Sequence, residues 1–371
     1  MKTINLLEAE DPTGMIEQLY DFLGDMDSAI NETIDFDADY DNIAICGMGG
    51  SAIGGSILAD AGFEISDMPI EVIEFTELPK WVGERTLVII STYSGNTYET
   101  LMMYDQAVER GCQMVAVTSG GKIREKAIAD GVKVVSIKEG IQPRSAIGAT
   151  IGYMANIIEM TGGPKFKTEL KKVLPSLYRL RDRLVIGDKK NVAVKVARRI
   201  HGKVPVIYAS SVLSGSAYRW KTQINENSKM MAFSGTIPES NHNDIMWWTE
   251  GSKRDTFQII LFQEDESSKI MRKLLNITVC TLRERGMNPL VIRIRGRTAI
   301  ERGLRAIMIG DYVSIYLAQY SGVDPAQINT IISFKSRFST LLTYMEKRKQ
   351  QRSRKKKKSE KEENPPSEPK S

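Results

Sequence analysis

The sequence predicts an α/β protein with two tandem domains, each built on a doubly wound, five-stranded parallel sheet. Short β-branched runs alternate with helix-like segments over residues 35–150, and the same alternation starts again near residue 190. Such alternation is typical of parallel sheets that carry helices on both faces. The length of 371 residues suits two domains of about 100–200 residues each.

Five strands are predicted in the first domain, and each is followed by turn residues that lead into the next segment. Helical segments such as Tyr98–Glu109 separate the strands. The predicted strand residues are 43–46, 70–75, 86–90, 114–118 and 132–137.

A helical connection from Gly148 to Ile186 is predicted to follow, interrupted at Gly162-Gly163-Pro164 because glycine and proline break helices. The second domain then repeats the pattern. Its predicted helices are 191–201, 267–285 and 302–321, and its predicted strands are 204–209, 257–262 and 290–295. We therefore expect four segments in the chain, namely domains at 1–155 and 189–345, a helical connection at 156–188 and a tail at 346–371. Open α/β sheets bind ligands at the carboxyl ends of their strands.

The composition excludes several classes of protein. No run of 18 uncharged apolar residues is present, which argues against a membrane span. The acidic segment Met1–Glu10 lacks the layout of a secretory signal. The three scattered cysteines, Cys46, Cys112 and Cys280, form neither a disulfide framework nor a paired metal motif. These observations predict a cytoplasmic protein.

The basic charge of the chain lies in its C-terminal tail. Residues 347–371 contain eleven Lys or Arg and four Asp or Glu, a net charge of +7, which leaves 40 basic and 42 acidic residues and a net charge of −2 for residues 1–346. The tail has almost no apolar residues, so we expect it to be disordered. A solvated appendage is the favoured interpretation, and contact with nucleic acid or anionic lipid is the alternative. No specific nucleic-acid partner is expected.

A glycine-rich loop follows the first predicted strand. Residues 47–51 read Gly-Met-Gly-Gly-Ser and open a predicted helix. Glycines let the backbone approach a ligand closely, and a helix N-terminus offers free N–H groups, so a phosphate group suits this position. The loop is not a Walker A motif, since no Gly-Lys-Ser/Thr follows it. A dinucleotide site is an alternative, because Gly47 and Gly49 begin a G-x-G pattern in which Ala52 is an allowed third residue.

A cluster of hydroxyl groups follows the third predicted strand. Ser91, Thr92, Ser94 and Thr97 lie within seven residues at a strand-to-helix turn. Together with backbone amides they can donate many hydrogen bonds to one phosphate without a lysine. Helix capping, the alternative interpretation, needs only one such residue. A dinucleotide site has no use for this cluster, although Glu74 lies where a ribose-binding carboxylate would stand.

These two motifs resemble the phosphate-site motifs of the sugar isomerase (SIS) domain family, and more narrowly those of the bifunctional phosphoglucose/phosphomannose isomerases. Residues 47–51 and the stretch Ser-Gly-Asn-Thr-Tyr-Glu-Thr at 94–100 carry the match, and Asp-Pro-Thr-Gly-Met at 11–15 matches the family's N-terminal signature. The resemblance covers residues 10–340 and implies two SIS domains. It also implies a phosphate site made by glycine and hydroxyl residues, which are Gly50, Ser51, Thr92, Ser94 and Thr97.

Arg144 is a candidate for charge stabilisation. It lies in the segment Gln-Pro-Arg-Ser at 142–145, after the last predicted strand of the first domain. On composition alone it is one basic residue on a surface loop. The resemblance implies that this arginine supports the charge of the reaction intermediate. A guanidinium suits that task because it is planar and stays charged.

Glu226 and His242 are the candidate acid–base residues of the second domain. Glu226 lies in Asn-Glu-Asn at 225–227, on a predicted helix whose alternative interpretation is a solvated polar face. His242 lies in a polar segment with no apolar periodicity, whereas His201, the one other histidine, ends a helix. The resemblance implies that Glu226 is the catalytic base and that His242 opens the sugar ring.

Lys335 is a further candidate, in the segment Phe-Lys-Ser-Arg at 334–337. A lysine on a terminal helix normally faces solvent. The resemblance implies that this lysine reaches the active site and helps to open the ring. The sequence departs from the family after Asp324-Pro325. The family often has a threonine there that is associated with the use of mannose 6-phosphate, whereas this chain has Ala326 and Gln327.

The resemblance implies a hexose 6-phosphate isomerase. Glucose 6-phosphate, and with it mannose 6-phosphate, would be interconverted with fructose 6-phosphate through a cis-enediol. A carboxylate can remove and return the proton on one face of the opened sugar, so no cofactor is expected, and no His, Cys and Asp residues have the spacing of a metal site. The resemblance also implies a homodimer in which the histidine comes from the neighbouring subunit. The alternative function is a non-catalytic SIS-domain protein that binds a sugar phosphate as a regulator.

Overall fold

The computed structural model of the protein describes residues 4–5, 14–187, 190–265, 268–342 and 344. The predicted tail lies outside these residues, as do the first three residues of the N-terminal signature. The chain divides into a large unit that ends at Ala326 and a C-terminal unit that begins at Gln327. The strands of all the described sheets lie in the large unit.

The first half of the large unit alternates strands with helices, as predicted. In chain order its elements are β1 (Ile4–Asn5), α1 (Met15–Asn31), β2 (Asn42–Cys46), α2 (Gly50–Ile65), β3 (Ile70–Ile73), β4 (Thr86–Thr92), α3 (Tyr98–Glu109), β5 (Gln113–Thr118), α4 (Gly121–Ala129), β6 (Lys133–Ser136), α5 (Ile147–Met160) and α6 (Phe166–Val185). Five of the strands form a parallel sheet in the order β3-β2-β4-β5-β6. This sheet confirms the predicted five strands.

The central strand, β4, extends two residues beyond its predicted end. Ser91 and Thr92 belong to it because they pair with Val117 and Thr118 of β5. The strand is buried along its whole length, as expected for the middle of a sheet that is covered on both faces. The hydroxyl cluster therefore starts inside the sheet, at its carboxyl edge.

The second half of the large unit contains a second parallel sheet. The elements of this half are β7 (Ile186–Gly187), α7 (Val192–Ile200), β8 (Val204–Ser210), α8 (Ser214–Ser228), β9 (Phe233–Ile237), α9 (Asp244–Glu250), β10 (Phe257–Glu264), α10 (Lys269–Glu284), β11 (Leu290–Ile294) and α11 (Ala299–Ser321). Strand β7 pairs with β1 in antiparallel fashion. The other four strands form a parallel sheet in the order β11-β10-β8-β9.

This second sheet differs from the predicted five strands. Within the described residues it has four, because the chain passes from β11 into α11, a helix of 23 residues, and not into another strand. The sequence does not predict β9, since Phe-Ser-Gly-Thr-Ile mixes polar and apolar residues. This strand lies at the sheet edge and is largely accessible, which is why its sequence lacks a continuous apolar run.

Helix α11 joins the two halves of the large unit in a common core. Nearly all of its side chains are buried, and it contacts α2 and α6 from the first half and α7 and α8 from the second. Gly310 lets it approach α8 closely, since a Cβ atom there would lie 2.3 Å from the Trp220 ring. The Trp220 indole donates a hydrogen bond to the Ala306 carbonyl oxygen at 2.7 Å. One continuous apolar cluster therefore supports both sheets.

Asp60 of α2 makes a polar contact between the two halves, at the N-terminus of α8. Its carboxylate accepts hydrogen bonds from Ser214 Oγ at 3.0 Å and from the Gly215 amide at 2.8 Å. A carboxylate in this position satisfies a free N–H group and matches the positive end of the helix dipole. Burial nevertheless raises the pKa of Asp60 to about 6, and the nearby Glu264 adds to the rise.

The raised pKa of Asp60 predicts a pH-dependent stability. Because an unfolded aspartate has a lower pKa, the folded protein binds more protons between about pH 4 and pH 6. We expect the free energy of unfolding to fall as pH rises through this window, by up to about 2 kcal/mol relative to Asp60→Asn, which cannot titrate. Urea unfolding of both proteins across this pH range measures the difference. The Asp67→Asn variant, at an exposed position, controls for the loss of one negative charge. The prediction would be contradicted if the difference in unfolding free energy between the wild type and Asp60→Asn stayed constant with pH.

The C-terminal unit contains a helix over residues 329–342. Several of its apolar side chains are exposed, among them Ile332, Phe334 and Leu341. Phe334 and Phe338 stack with their ring centroids 6.3 Å apart. Lys335 lies on this helix, as predicted, and is exposed.

Candidate active site

Two loops at the carboxyl edge of the first sheet lie against each other. The glycine-rich loop connects β2 to α2, and the hydroxyl-rich loop connects β4 to α3. Ser91 Oγ donates to the Ser51 carbonyl oxygen at 2.9 Å, and the Tyr93 amide donates to Ser51 Oγ at 3.1 Å. The close approach requires a glycine at position 47, since a Cβ atom on Gly47 would lie 2.7 Å from the Ser91 carbonyl oxygen. The two motifs singled out in the sequence therefore meet in one place.

This loop pair, residues 47–51 and 91–97, offers donors that suit an anion. Helices α2 and α3 begin in it, and neither receives a side-chain hydrogen bond from its N-cap residue, Gly49 or Thr97. Helices α10 and α11, by contrast, are capped by hydroxyl side chains. The position of these hydroxyl residues at two adjacent helix starts, neither of which is capped by a side chain, favours phosphate binding over simple capping as their use.

The hydroxyl groups of the loop pair differ in exposure. Thr92 is buried and its Oγ1 donates to Thr97 Oγ1 at 3.4 Å. Ser94 is exposed, and its Oγ accepts a hydrogen bond from the Asn96 amide at 3.3 Å. The structure thus gathers all five predicted phosphate-binding residues in one loop pair, namely Gly50, Ser51, Thr92, Ser94 and Thr97. Their part in binding stays a prediction.

Glu74, the carboxylate that a dinucleotide site would use, is engaged by the glycine-rich loop itself. It accepts a hydrogen bond from the Gly49 amide. Burial raises the pKa of Glu74, and this hydrogen bond offsets part of the rise. Gly49 has a φ of 54°, in the left-handed region that glycine adopts readily. Support of this turn gives Glu74 a structural role that does not require a bound ribose.

Arg144 is buried beside the glycine-rich loop, so its interpretation as a surface residue is wrong. Only 3% of the residue is exposed, and a Cβ atom on Gly50 would lie 3.2 Å from its Cα. Its Nε donates to Asn227 Oδ1 at 2.8 Å, and its Nη2 donates to the Pro325 carbonyl oxygen at 2.7 Å. Burial lowers the pKa of Arg144, whereas the Glu226 carboxylate raises it. A guanidinium remains charged under both influences.

Glu226 lies in the last turn of α8 and reaches Arg144. Its Oε2 lies 3.5 Å from Arg144 Nη1 in an ion pair, in which 4% of the arginine side chain and 29% of the glutamate side chain are exposed. The carboxylate therefore has one side against a buried cation and another side open to solvent. Because Arg144 contacts Gly50, this ion pair brings the predicted base from the second half of the chain to the loop pair of the first.

A buried polar network supports Arg144 and the turn of α8 that carries Glu226. Asn227 Nδ2 donates to Ser314 Oγ of α11 at 2.8 Å. Arg219 of α8 forms an ion pair with Asp311 of α11 at 2.8 Å, with 0% and 6% of their side chains exposed. The same Arg219 nitrogen donates to the Arg144 carbonyl oxygen at 3.1 Å. Helices α8 and α11 therefore fix the position of Arg144 through its backbone and through its side chain.

Lys229, a charged residue at this site, has no role in the sequence-based prediction. It follows α8, and its ammonium donates to the Glu226 carbonyl oxygen at 2.5 Å. Burial and Arg144 lower the pKa of Lys229, whereas Asp324 and Glu226 raise it. Lys229 is the C-cap of α8, in a left-handed conformation with a φ of 57°, and its backbone N–H donates a hydrogen bond to the Ile224 carbonyl oxygen.

His242 is not joined to Glu226 within the chain. It ends a short 3₁₀ segment, Glu239–His242, and is exposed. Among the hydrogen bonds and ion pairs of the described residues, none links it to Glu226 or Arg144. Its role in ring opening stays a prediction.

Lys335 belongs to the C-terminal unit, and its predicted reach into the active site stays a prediction. The segment Asp324-Pro325 that precedes it in the sequence does lie at the site, since the Pro325 carbonyl oxygen accepts a hydrogen bond from Arg144. The Ala326 amide donates to Asp324 Oδ1 at 2.8 Å, which fixes the turn there.

The described residues offer neither a metal cluster nor a membrane-spanning helix. No group of three His, Cys, Asp or Glu side chains among them could hold a metal ion. None of their helices is long and apolar enough to cross a membrane. The three cysteines are free thiols, of which Cys46 is buried at the end of β2. The cytoplasmic location stays a prediction.

Comparison with known proteins gives related sequences and a similar fold. Residues 189–338 match the model of the bacterial phospho-glucose isomerase C-terminal SIS domain. The bifunctional phosphoglucose/phosphomannose isomerase of Thermoplasma acidophilum is 36% identical over 304 residues, which cover 81% of this chain and 90% of that protein. The D-glucosamine-6-phosphate 4-epimerase of Sulfolobus acidocaldarius is 34% identical over 243 residues, which cover 64% of this chain and 73% of that protein. The crystal structure of a hypothetical protein from Thermus thermophilus has a similar fold, with a TM-score of 0.72, 16% identity and coverage of 91% of this chain and 92% of that one.

Proposed function

Since the chain belongs to the family of bifunctional phosphoglucose/phosphomannose isomerases, we propose that it interconverts glucose 6-phosphate and mannose 6-phosphate with fructose 6-phosphate. The ion pair between Glu226 and Arg144 beside the loop pair carries this proposal. It combines a partly open carboxylate, a buried cation and a phosphate-binding motif. Aldose–ketose isomerisation needs a base, charge stabilisation and an anchor for the substrate.

The phosphate group serves as an anchor in the proposed reaction and takes no part in the chemistry. The positive ends of helices α2 and α3 would hold it, together with the hydroxyl groups of the loop pair. Binding energy from this remote group then fixes C1 and C2 of the sugar against Glu226.

Glu226 is the proposed base. From the opened aldose it takes the C2 proton, the C2–H electron pair forms the C1–C2 double bond, and the C1 oxygen takes the negative charge. The C2 hydroxyl then gives its proton to the C1 oxygen, and Glu226 returns the first proton to C1 as the C2 carbonyl forms. The positive charge of Arg144 stabilises the enediolate. All protons and electrons stay within the sugar and Glu226, so no cofactor takes part.

Ring opening is proposed for His242, with Lys335 as a second contributor. An imidazole can exchange a proton with the ring oxygen near neutral pH. Because His242 is exposed and is not linked to Glu226 in its own chain, we propose a homodimer in which each His242 completes the site of the other subunit.

The test is a rate measurement on both aldose phosphates. Glucose 6-phosphate and mannose 6-phosphate are each incubated with the protein, and the formation of fructose 6-phosphate is followed with and without EDTA. We expect turnover of glucose 6-phosphate at a rate that EDTA does not change. The rate on mannose 6-phosphate shows whether the protein accepts this substrate with Ala326 and Gln327 where the family often has a threonine. Absence of turnover on both substrates would contradict the proposal, and loss of turnover with EDTA would contradict the metal-free mechanism.

The similarity to the epimerase of Sulfolobus acidocaldarius favours a second candidate, inversion at C4 of an amino sugar phosphate. Incubation with glucosamine 6-phosphate, followed by NMR spectroscopy, distinguishes the two, because epimerisation gives a new pyranose and isomerisation gives a ketose. Tight binding of sugar phosphates with neither reaction would support the non-catalytic alternative.

A further inference from the structure

The histidine of the segment Asn241-His242-Asn243 lies between two asparagines, in the connection from β9 to α9. Its imidazole is exposed, and within the described chain it makes no hydrogen bond, ion pair or ring contact. The polar side chains around it all have hydrogen-bond partners, namely those of Glu239, Asn241, Asn243 and Asp244. A free imidazole therefore stands on a turn that its neighbours hold in place.

Asn241 anchors the N-terminal side of this turn to helix α10. Its Nδ2 donates a hydrogen bond to Thr278 Oγ1 at 2.9 Å. Thr278 is buried, and its hydroxyl donates to the Leu274 carbonyl oxygen of the same helix at 3.0 Å. Because the acceptor of the Asn241 amide is itself fixed inside a helix, this bond determines where the turn lies on α10.

Two further hydrogen bonds hold the C-terminal side of the turn. Asn243 Nδ2 donates to Glu239 Oε1 at 2.9 Å, so one side-chain bond spans the turn. Asp244 Oδ2 accepts a hydrogen bond from the Tyr208 hydroxyl of β8 at 2.7 Å. Since the bond between Asn243 and Glu239 is exposed to water, the partly buried bond from Asn241 is the stronger constraint directly beside His242.

We propose that Asn241 is a positioning residue that acts through His242. This inference rests on the proposed function, in which His242 exchanges a proton with the ring oxygen of a sugar bound to the neighbouring subunit. Such a transfer requires an imidazole nitrogen within about 3 Å of that oxygen, and a displacement of about 1 Å can lower the rate about 100-fold. The imidazole has no partner of its own in the described chain, so the bond from Asn241 to Thr278 fixes it through the backbone.

Thr278→Val tests this role, because it removes a buried hydroxyl and keeps the branched shape of the side chain. We expect kcat for glucose 6-phosphate to fall about tenfold with KM changed by less than about threefold, since the turn loses its anchor while the loop pair is unchanged. Asn241→Ala breaks the same bond from the turn and should give a similar loss. Thr278→Ser keeps the hydroxyl and should recover most of it.

Thr281→Val is the matched control, because it makes the same change on the same helix. The Thr281 hydroxyl has no hydrogen-bond partner within the described residues, and Thr281 lies within α10. This variant should keep the wild-type kcat. A kcat of Thr278→Val equal to that of Thr281→Val would overturn the inference.

A double-mutant cycle with His242→Ala separates positioning from a general structural role. We expect His242→Ala to lower kcat at least about 100-fold, the size of an acid–base contribution. In that background Thr278→Val should cause no further loss beyond about twofold, because the two residues then act as one unit. An equal loss from Thr278→Val in both backgrounds would overturn the inference. A wild-type kcat in His242→Ala would overturn the proposed role of His242 and the inference with it, whereas absence of isomerisation by the wild-type protein would overturn the proposed function.

Discussion

Glu226→Gln is expected to lower kcat for glucose 6-phosphate at least about 1,000-fold, because proton transfer by a positioned carboxylate supplies acceleration of this order. The amide has the same shape but cannot accept the C2 proton. Sugar-phosphate binding should remain largely intact, since the loop pair, the proposed phosphate site, makes no hydrogen bond to Glu226 within the described residues. Initial rates and calorimetric titration with fructose 6-phosphate measure the two effects separately.

Glu109→Gln is a matched control for this prediction, because Glu109 also lies in the last turn of a helix, α3, and is exposed. It should keep the wild-type rate. A Glu226→Gln protein that turns over within about tenfold of the wild type would show that another group is the base.

Asp311→Asn is expected to destabilise the large unit by about 3–5 kcal/mol, because it leaves the buried Arg219 charge without its partner. The pair is almost fully inaccessible, and Arg219 Nη1 already lacks a hydrogen-bond partner among the described residues. Urea unfolding at neutral pH gives the loss of unfolding free energy. Activity should fall as well, since the Arg219 side chain holds the Arg144 backbone.

Two further variants define the physical cause of that loss. Asp39→Asn breaks an ion pair with Arg85 whose side chains are 86% and 56% exposed, and such surface pairs contribute about 1 kcal/mol or less. The double variant Arg219→Met/Asp311→Leu removes both buried charges and should recover most of the stability lost in Asp311→Asn. A loss in Asp311→Asn no larger than in Asp39→Asn would contradict the prediction.

The elements that the sequence predicts well are those whose signal is local. The apolar runs of the first sheet and the turn motifs after β2 and β4 are readable because a buried parallel strand and a strand-to-helix turn each have a distinct composition. The juxtaposition of the two phosphate motifs follows from topology, since parallel strands end at one edge. The pairing of Glu226 with Arg144 comes from family resemblance, and no local pattern predicts it.

The features that the sequence does not predict depend on distant contacts. Arg144 reads as a surface residue because its burial comes from Asn227 and Pro325, far along the chain. The edge strand β9 lacks an apolar run because edge position removes the need for one. For His242, the prediction concerns a neighbouring subunit and not the fold of one chain.

The carboxylate of Asp60 at the start of α8 limits how many ligands one chain can take up. Strand-to-helix turns occur in both sheets, and a duplicated architecture could in principle offer two comparable anion pockets. In the second sheet Asp60 accepts hydrogen bonds from the Gly215 amide and the Ser214 hydroxyl in the first turn of α8. In the first sheet the N-cap of α2 is a glycine, which has no side chain to offer. The expected stoichiometry is therefore one sugar phosphate per polypeptide, and the second half is expected to contribute reactive groups in place of a second pocket.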